Sequence, residues 1–237
     1  MRLAAEGAGW RAYDDVLPAR AFAALWRWAQ RQRFQRVHAH GWDTVWRFHD
    51  GEPVAGEILH SARSGYDEGA RVYPTGTAAD ALLRRVARLA PRLAPLVGRR
   101  GRDWIIFSGR TFLYPPGTGL SWHSDGSIYS GAWTFYAHPR WNAVWGGELM
   151  IARTRRPAHR LGDAPHLDNR RENEALDEIG AGTYLAPKPN RLVVMAGSVP
   201  HMINRVHAAA GTNARCAVAG FFVRPSALPA GRSSTQR

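Results

Sequence analysis

Apolar positions in the first hundred residues recur with helical spacing in two places. In "PARAFAALWRWAQRQRF", Phe22, Leu25, Trp26 and Ala29 fall at i, i+3, i+4 and i+7, and Pro18 suits a first helical turn. In "AADALLRRVARLA", Leu82, Val86, Leu89 and Leu93 share one face. Thr77 and Asp80 resemble a capping box at its start, and Pro91 and Pro95 end it. Between these two segments, "DTVWRFHDGEPVAGEIL" (44–59) carries strand-like runs on either side of Asp50-Gly51 and predicts a hairpin. Beyond residue 100 the period changes. Short β-rich runs follow one another: "DWIIF", "RTFLY", "WTFYA", "GELMIA", "RLVVMA" and "ARCAVAGFFV", separated by Gly, Pro and Asn. Many short strands with turn residues between them predict a sandwich or barrel.

The expected class is therefore mostly β with flanking helices (α+β). One domain spans 1–228, with helical support over about 1–100 and a β core over about 101–224. A polar insertion, 153–190, interrupts the core and is the candidate lid, with "NRRENEALDEIG" as a short helix inside it. Residues 229–237 read as a disordered tail.

Composition changes this picture little. The chain has 237 residues, 45% apolar and 22% charged, which suits a globular domain with a proper core. The formal net charge is +13, and Lys188 is the only lysine among 32 basic residues, a skew that codon usage alone can produce. A basic surface attracts anions of many kinds and by itself names none. The arginines are scattered rather than interleaved with aromatics, so nucleic acid is not the expected partner. One cysteine, Cys216, leaves no intramolecular disulfide, which fits a reducing compartment. The N-terminus lacks a signal-peptide apolar stretch, and no run of about 18 apolar residues exists. A cytoplasmic protein without a membrane segment is expected.

The chemistry starts at "SGRTFLYPPGTGLSWHSDG" (108–126), which sets His123 and Asp125 two residues apart after a strand and a Pro-Pro-Gly turn. On an extended segment, side chains at i and i+2 point the same way, so the pair can grip one ion. A second His-x-Asp pair, His166 and Asp168, lies in the polar insertion with no strand to hold it, so spacing alone does not choose between them. Rigid support favours the first. A third ligand from a later strand would complete the two-His-one-carboxylate facial triad of non-haem Fe(II) chemistry, which leaves three adjacent positions open. His201, after the apolar run Leu192 to Ala196, is in the right place, although a lone His there also reads as a satisfied core residue. Fourteen residues on, Arg215 opens the apolar run "CAVAGFFV". A buried guanidinium needs a partner, either Glu148 or another protein acid, or the far carboxylate of a dicarboxylic co-substrate.

Taken together, these pieces resemble the 2-oxoglutarate- and Fe(II)-dependent oxygenases, in particular the prolyl-4-hydroxylase-like branch. The resemblance covers about residues 104–224 and rests on four stretches in order: "FLYPPGTGLSWHSDG", "WTFYAHPRWNAVWGGELMIA", "RLVVMAGSVPHMINRV" and "GTNARCAVAGFFV". It implies a double-stranded β-helix, a jelly roll with helices on its larger sheet. It implies Fe(II) on His123, Asp125 and His201. It places 2-oxoglutarate on Arg215, with hydroxyls from Tyr114 and Tyr136, and makes O2 a co-substrate and ascorbate an accessory reductant. Ala217 stands where many relatives have Ser or Thr, and the loop between His201 and Arg215 is long, which leaves Arg205 as the spare basic residue. Asp125 argues against halogenation, because halogenases of this type replace that carboxylate.

The implied reaction is hydroxylation, with desaturation, epoxidation or ring closure open to the same site. Its substrate is expected to be amino-acid-like, free or tethered to an acidic carrier protein, in a biosynthetic pathway. Trp122, Trp133, Trp141 and Trp145 are candidate pocket walls or simply packing, and Arg153, Arg155 and Arg156 give the insertion an anion-seeking edge. The alternatives are the same chemistry on nucleic acid, a cupin-type metalloenzyme without 2-oxoglutarate, and a β-sandwich interaction module without catalysis.

Overall fold

The computed structural model describes residues 1–39, 45–66, 69–125, 128–153, 176, 178 and 180–227. Within them the chain forms β1 (Arg2–Gly7), β2 (Trp10–Asp14), α1 (Ala19–Ala29), β3 (Gln35–Arg36), β4 (Val54–His60), β5 (Arg71–Val72), α2 (Ala79–Leu89) and α3 (Ala94–Val97). The core strands follow: β6 (Ile106–Tyr114), β7 (Leu120–His123), β8 (Tyr129–Tyr136), β9 (Leu149–Ala152), β10 (Gly182–Leu185), β11 (Leu192–Ala196), β12 (His201–Ile203) and β13 (Arg215–Val223). They build two sheets. The larger runs β1-β2-β11-β8-β13-β6-β4-β3, with β5 beside β4, and the smaller runs β10-β9-β12-β7.

Three layers result, each with a cluster of apolar side chains between it and the next. Strand alternation sends Phe107, Trp133, Phe135, Leu192, Val194, Val218 and Phe222 to one face of the large sheet. There they meet Leu25 and Ala29 of α1 and Leu82, Leu83, Val86 and Leu89 of α2. The intervening residues, among them Ala132, Tyr136, Val193, Met195 and Ala217, face the small sheet and pack on Leu149, Ile151 and Leu185. This is the two-sheet interior of a jelly roll, and the functional side chains lie in it.

Both predicted helices form with the predicted faces inward. Pro18 precedes α1, and Thr77 Oγ accepts the Ala79 N–H at 3.2 Å. Asp80 reaches further back than a capping box does. Its carboxylate accepts the N–H groups of Thr75 (2.8 Å) and Gly76 (3.0 Å) and so ties down the turn before α2.

The structure differs from the sequence pattern in three respects. First, the hairpin expected over 44–59 does not form. Asp50 is buried, and its carboxylate accepts the Arg47 N–H (2.7 Å) and the Ser121 hydroxyl (2.6 Å). Those bonds curl Phe48–Asp50 into a 3-10 turn, so only β4 of the expected pair is a strand, and it joins β6 and β3 instead. Second, the first hundred residues are not only helical, because β1 and β2 extend the large sheet past β11. Third, the runs "DWIIF" and "RTFLY" fuse into the single nine-residue β6, and the end of the polar insertion supplies β10, paired with β9. Residues 154–175, 177 and 179 of that insertion lie outside the described residues, with Arg155, Arg156, His166 and Asp168, and so does the tail over 229–237. Among the described residues no helix is long and apolar enough to cross a membrane.

Candidate metal and co-substrate site

β7 and β12 are neighbours in the small sheet, and their register sets His123 directly opposite His201. The two imidazoles lie with centroids 4.2 Å apart at 55°. Asp125 follows β7 by two residues, and ligand atoms of His123, Asp125 and His201 all fall within 4.8 Å of one another. All three side chains are buried.

Each imidazole is held from behind. His123 Nδ1 lies 2.8 Å from the Ser121 carbonyl, and His201 Nδ1 lies 2.9 Å from the Val199 carbonyl. A carbonyl can only accept, so each Nδ1 carries the proton and each Nε2 keeps its lone pair for an ion. This backbone support is how metal-binding imidazoles are commonly oriented. Asp125 Oδ2 is buried without a hydrogen-bond partner. A bare carboxylate oxygen beside two oriented imidazole lone pairs is costly unless a cation sits between them. By its chemistry this donor set fits a ferrous ion.

The electrostatics follow from burial. Burial, then the neighbouring His201, hold His123 well below the usual imidazole range, so it is neutral and ready to coordinate. Burial pushes the Asp125 carboxyl up to about 6 in the metal-free protein, with His201 opposing. A carboxyl whose folded value is raised favours its protonated form, and that preference is lost as pH climbs from about 4 through 6. A proton therefore competes with the metal below pH 6. Metal affinity is expected to rise by about tenfold per pH unit up to pH 6 and to level off above it. Calorimetric titration of Mn(II) across pH 5–8 checks this, and an Asp125→Asn variant is expected to lose the dependence.

Arg215 opens β13 opposite Tyr114 of β6 and is 1% exposed. Its Nε donates to the Gly147 carbonyl at 2.8 Å, while its two terminal nitrogens are buried with no hydrogen-bond partner. Glu148 does not neutralise it, since that carboxylate takes the Asn204 amide at 2.9 Å. Nor does any ion pair among the described residues involve Arg215. The guanidinium lies between two phenol rings, 5.1 Å from the Tyr114 centroid and 4.9 Å from that of Tyr136. Both tyrosines are buried, which pushes the Tyr114 hydroxyl up to about 12 and raises Tyr136 as well, against the pull of Arg215. They are neutral donors, and the Tyr136 hydroxyl has no partner of its own. Two orphaned guanidinium nitrogens and an orphaned phenol make a cradle for a carboxylate.

Gly147 makes room for this cradle. Its φ is +75°, and a Cβ there would stand 2.9 Å from Arg215 Cδ. Gly147→Ala is expected to cost about 1–3 kcal/mol of stability from backbone strain. It should also displace Arg215 and weaken carboxylate binding at the cradle, measured by thermal melts alongside titration with a small dicarboxylate.

His123, Asp125, His201, Tyr114 and Arg215 all line one cavity of about 350 Å³. The other candidates divide. Trp133 borders the cavity, but its ring packs on Phe107 in the helix-side core and its indole N–H donates to the Ser108 carbonyl. Trp122 and Arg153 are not among the lining residues. Trp122 is next in line to His123, so alternation turns it away. Trp141 and Trp145 pack edge to face beside the Tyr114–Leu120–Ile203 cluster. Arg205 is exposed and donates to the His49 carbonyl, which removes it as the spare for Arg215. Residues that sequence reasoning passed over complete the wall: Trp46, Arg110, Phe112, Tyr66, Tyr129 and Phe221. Strand parity was the signal for half of them, because Arg110 and Phe112 share a face with Tyr114, and Phe221 shares one with Arg215.

No protein-family model matches the sequence, and a comparison with curated proteins finds no match. Solved structures do match. A Pseudomonas putida prolyl-4-hydroxylase superposes with a TM-score of 0.60 at 19% identity, covering 91% of this chain and 93% of that one. A 2-oxoglutarate-Fe(II) oxygenase family protein from Burkholderia pseudomallei gives 0.55 at 14%, covering 91% and 86%. A Trichoplax adhaerens prolyl hydroxylase, solved with a hypoxia inducible factor peptide fragment, gives 0.58 at 16%, covering 92% and 85%. In fold, the chain is a double-stranded β-helix of the kind these oxygenases have.

Proposed function

We propose that the protein is an Fe(II)- and 2-oxoglutarate-dependent oxygenase that hydroxylates an amino-acid-like small molecule, free or tethered to a carrier protein. One observation carries the reading. A single cavity holds two backbone-anchored imidazoles and an unpartnered carboxylate, and the same cavity is bordered by a buried guanidinium that no protein acid neutralises. The first group suits a ferrous ion and the second suits the far carboxylate of 2-oxoglutarate. A cupin-type metalloenzyme without that co-substrate would have no use for an unpaired buried Arg215.

His123, Asp125 and His201 would hold the metal through Nε2, a carboxylate oxygen and Nε2. With O2, the bound metal supplies the splitting of 2-oxoglutarate to succinate and CO2, coupled to insertion of one oxygen atom into a substrate C–H bond. Arg215 would pair with the distal carboxylate, and Tyr114 and Tyr136 would donate hydroxyl protons to the co-substrate. The apolar lining from Leu120, Leu149 and Ile203 excludes water and fixes the approach.

The test is succinate release from 2-oxoglutarate with added Fe(II) and ascorbate, alongside mass-spectrometric screening of free and carrier-bound amino acids for a +16 product. Succinate formation that requires iron is expected. Its absence over the whole screen, in protein that is folded and iron-loaded, would reject the reading.

A further inference from the structure

The strand that carries Arg215 is supported unevenly at its head. β13 pairs with β6 from Arg215 onward, but with β8 only from Ala217 onward. Just before Arg215 the chain runs through Gly211 to Ala214, exposed or half-buried. One side chain closes the gap on the β8 side. His138, two residues past the end of β8, is 2% exposed and stands outside the metal group. Its Nδ1 lies 3.2 Å from the backbone nitrogen of Cys216, next in line to Arg215, and its Nε2 lies 2.6 Å from the Pro187 carbonyl.

A single proton settles which of these contacts are bonds. The Pro187 carbonyl can only accept, so Nε2 carries a proton. Burial brings the imidazole down to about 4, with the Pro187 bond opposing and Arg215 adding to the fall, so at neutral pH the ring has no second proton. Nδ1 is then a lone pair and accepts the Cys216 N–H. The Cys216 carbonyl, 3.1 Å from the same nitrogen, takes the Ala137 N–H at 3.0 Å instead. In a continued ladder the Cys216 N–H would return to the Ala137 carbonyl, and the imidazole stands in for that rung. The ring itself is fixed. Trp141 lies against it at 4.7 Å and 37°, with its indole N–H on the Gly146 carbonyl, and Pro187 precedes Lys188, which holds the buried Asp14 at 2.7 Å.

We propose, resting on the oxygenase reading, that His138 is a positioning residue for the co-substrate: by accepting the Cys216 N–H it holds the head of β13, and with it Arg215, where the far carboxylate of a 2-oxo diacid docks. Without that acceptor a fully buried amide one residue from Arg215 has no partner. The strand head then shifts toward another acceptor, and the guanidinium shifts with it. A neutral ring is also the right support here, because a charged one would place a second cation beside Arg215.

The experiment separates the two imidazole nitrogens. The Asn oxygen can take the place of Nδ1 and keep the Cys216 bond, whereas the Gln amide nitrogen can take the place of Nε2 and keep only the Pro187 bond. The full chain is loaded with Zn(II), to prevent turnover, and titrated by calorimetry with 2-oxoglutarate and with 2-oxobutyrate, which lacks the far carboxylate. The ratio of the two affinities reads the Arg215 contact alone. The wild type is expected to prefer 2-oxoglutarate by about 30-fold or more. His138→Gln should cut that ratio by about tenfold, with 2-oxobutyrate binding unchanged, and His138→Asn should keep it within about threefold. Thermal melts should fall alike in both variants, since each loses one bond of the ring. Should His138→Gln not fold, His138→Leu, which also lacks the acceptor, takes its place. A full ratio in the acceptor-less variant overturns the proposal, and so does an equal loss in His138→Asn. A wild type that binds both acids equally removes 2-oxoglutarate from Arg215, and the role of His138 falls with it.

Discussion

Replacing His201 with alanine is expected to abolish 2-oxoglutarate-dependent succinate release and to weaken metal binding by more than ~100-fold, because losing even a supporting group behind a ligand commonly costs 10–100-fold. The fold should survive. His201 sits on a three-residue strand, and its bond partners in the sheet are backbone groups that alanine keeps. Removing one imidazole also removes a group that opposes the charging of His123. Alanine loses the bond from His201 Nδ1 to the Val199 carbonyl, so the metal-free variant is expected to be about 1 kcal/mol less stable than the wild type. Calorimetric Mn(II) titration and thermal melts with and without metal read both halves. A variant that keeps turnover would remove His201 from the metal. One that fails to fold would mean that the imidazole supports the small sheet, and His201→Gln would then separate shape from ligation.

The metal group was legible because its geometry is local. His123 and Asp125 obey strand parity, and His201 is brought opposite by ordinary antiparallel pairing between two strands that each follow a turn. Arg215 was legible through its cost: an arginine at the head of "CAVAGFFV" had to have a partner, whatever that partner was. The wall residues were harder to read because they were sought by type rather than by parity. Trp133 and Tyr136 are three apart on one strand, so they face opposite sides of the sheet, and only one of them can point at a co-substrate. Counting by twos from Tyr114 and Arg215 leads instead to Arg110, Phe112 and Phe221.

The N-terminal strands were hidden for a different reason. β1 is almost wholly exposed and β2 almost wholly buried, so neither alternates. Their pairing depends on β11, about 180 residues later. The 44–59 hairpin failed on a long-range bond as well. Asp50-Gly51 is a sound turn signal, but Ser121, 71 residues away, takes the Asp50 carboxylate and bends the segment against β7. Local pattern cannot report a partner that distant.

Arg215→Met is expected to move stability and binding in opposite directions. In the co-substrate-free protein the guanidinium is a buried charge with one satisfied nitrogen of three, an arrangement that costs free energy and that a methionine of similar length would relieve. The variant is therefore expected to melt at or above the wild-type temperature in the absence of 2-oxoglutarate. Binding should show the reverse. Removing one partner of a buried, hydrogen-bonded charge pair costs about 2–5 kcal/mol, which corresponds to a rise of about 30-fold or more in the 2-oxoglutarate concentration needed. Addition of 2-oxoglutarate should then raise the melting temperature of the wild type and leave that of the variant unmoved, because ligand stabilisation follows affinity. Melting curves over a 2-oxoglutarate series, with metal held constant, display both signs in one experiment. A variant that melts lower and still binds 2-oxoglutarate normally would make Arg215 a structural residue satisfied by Gly147 and the two phenol rings, and the co-substrate carboxylate would need another anchor.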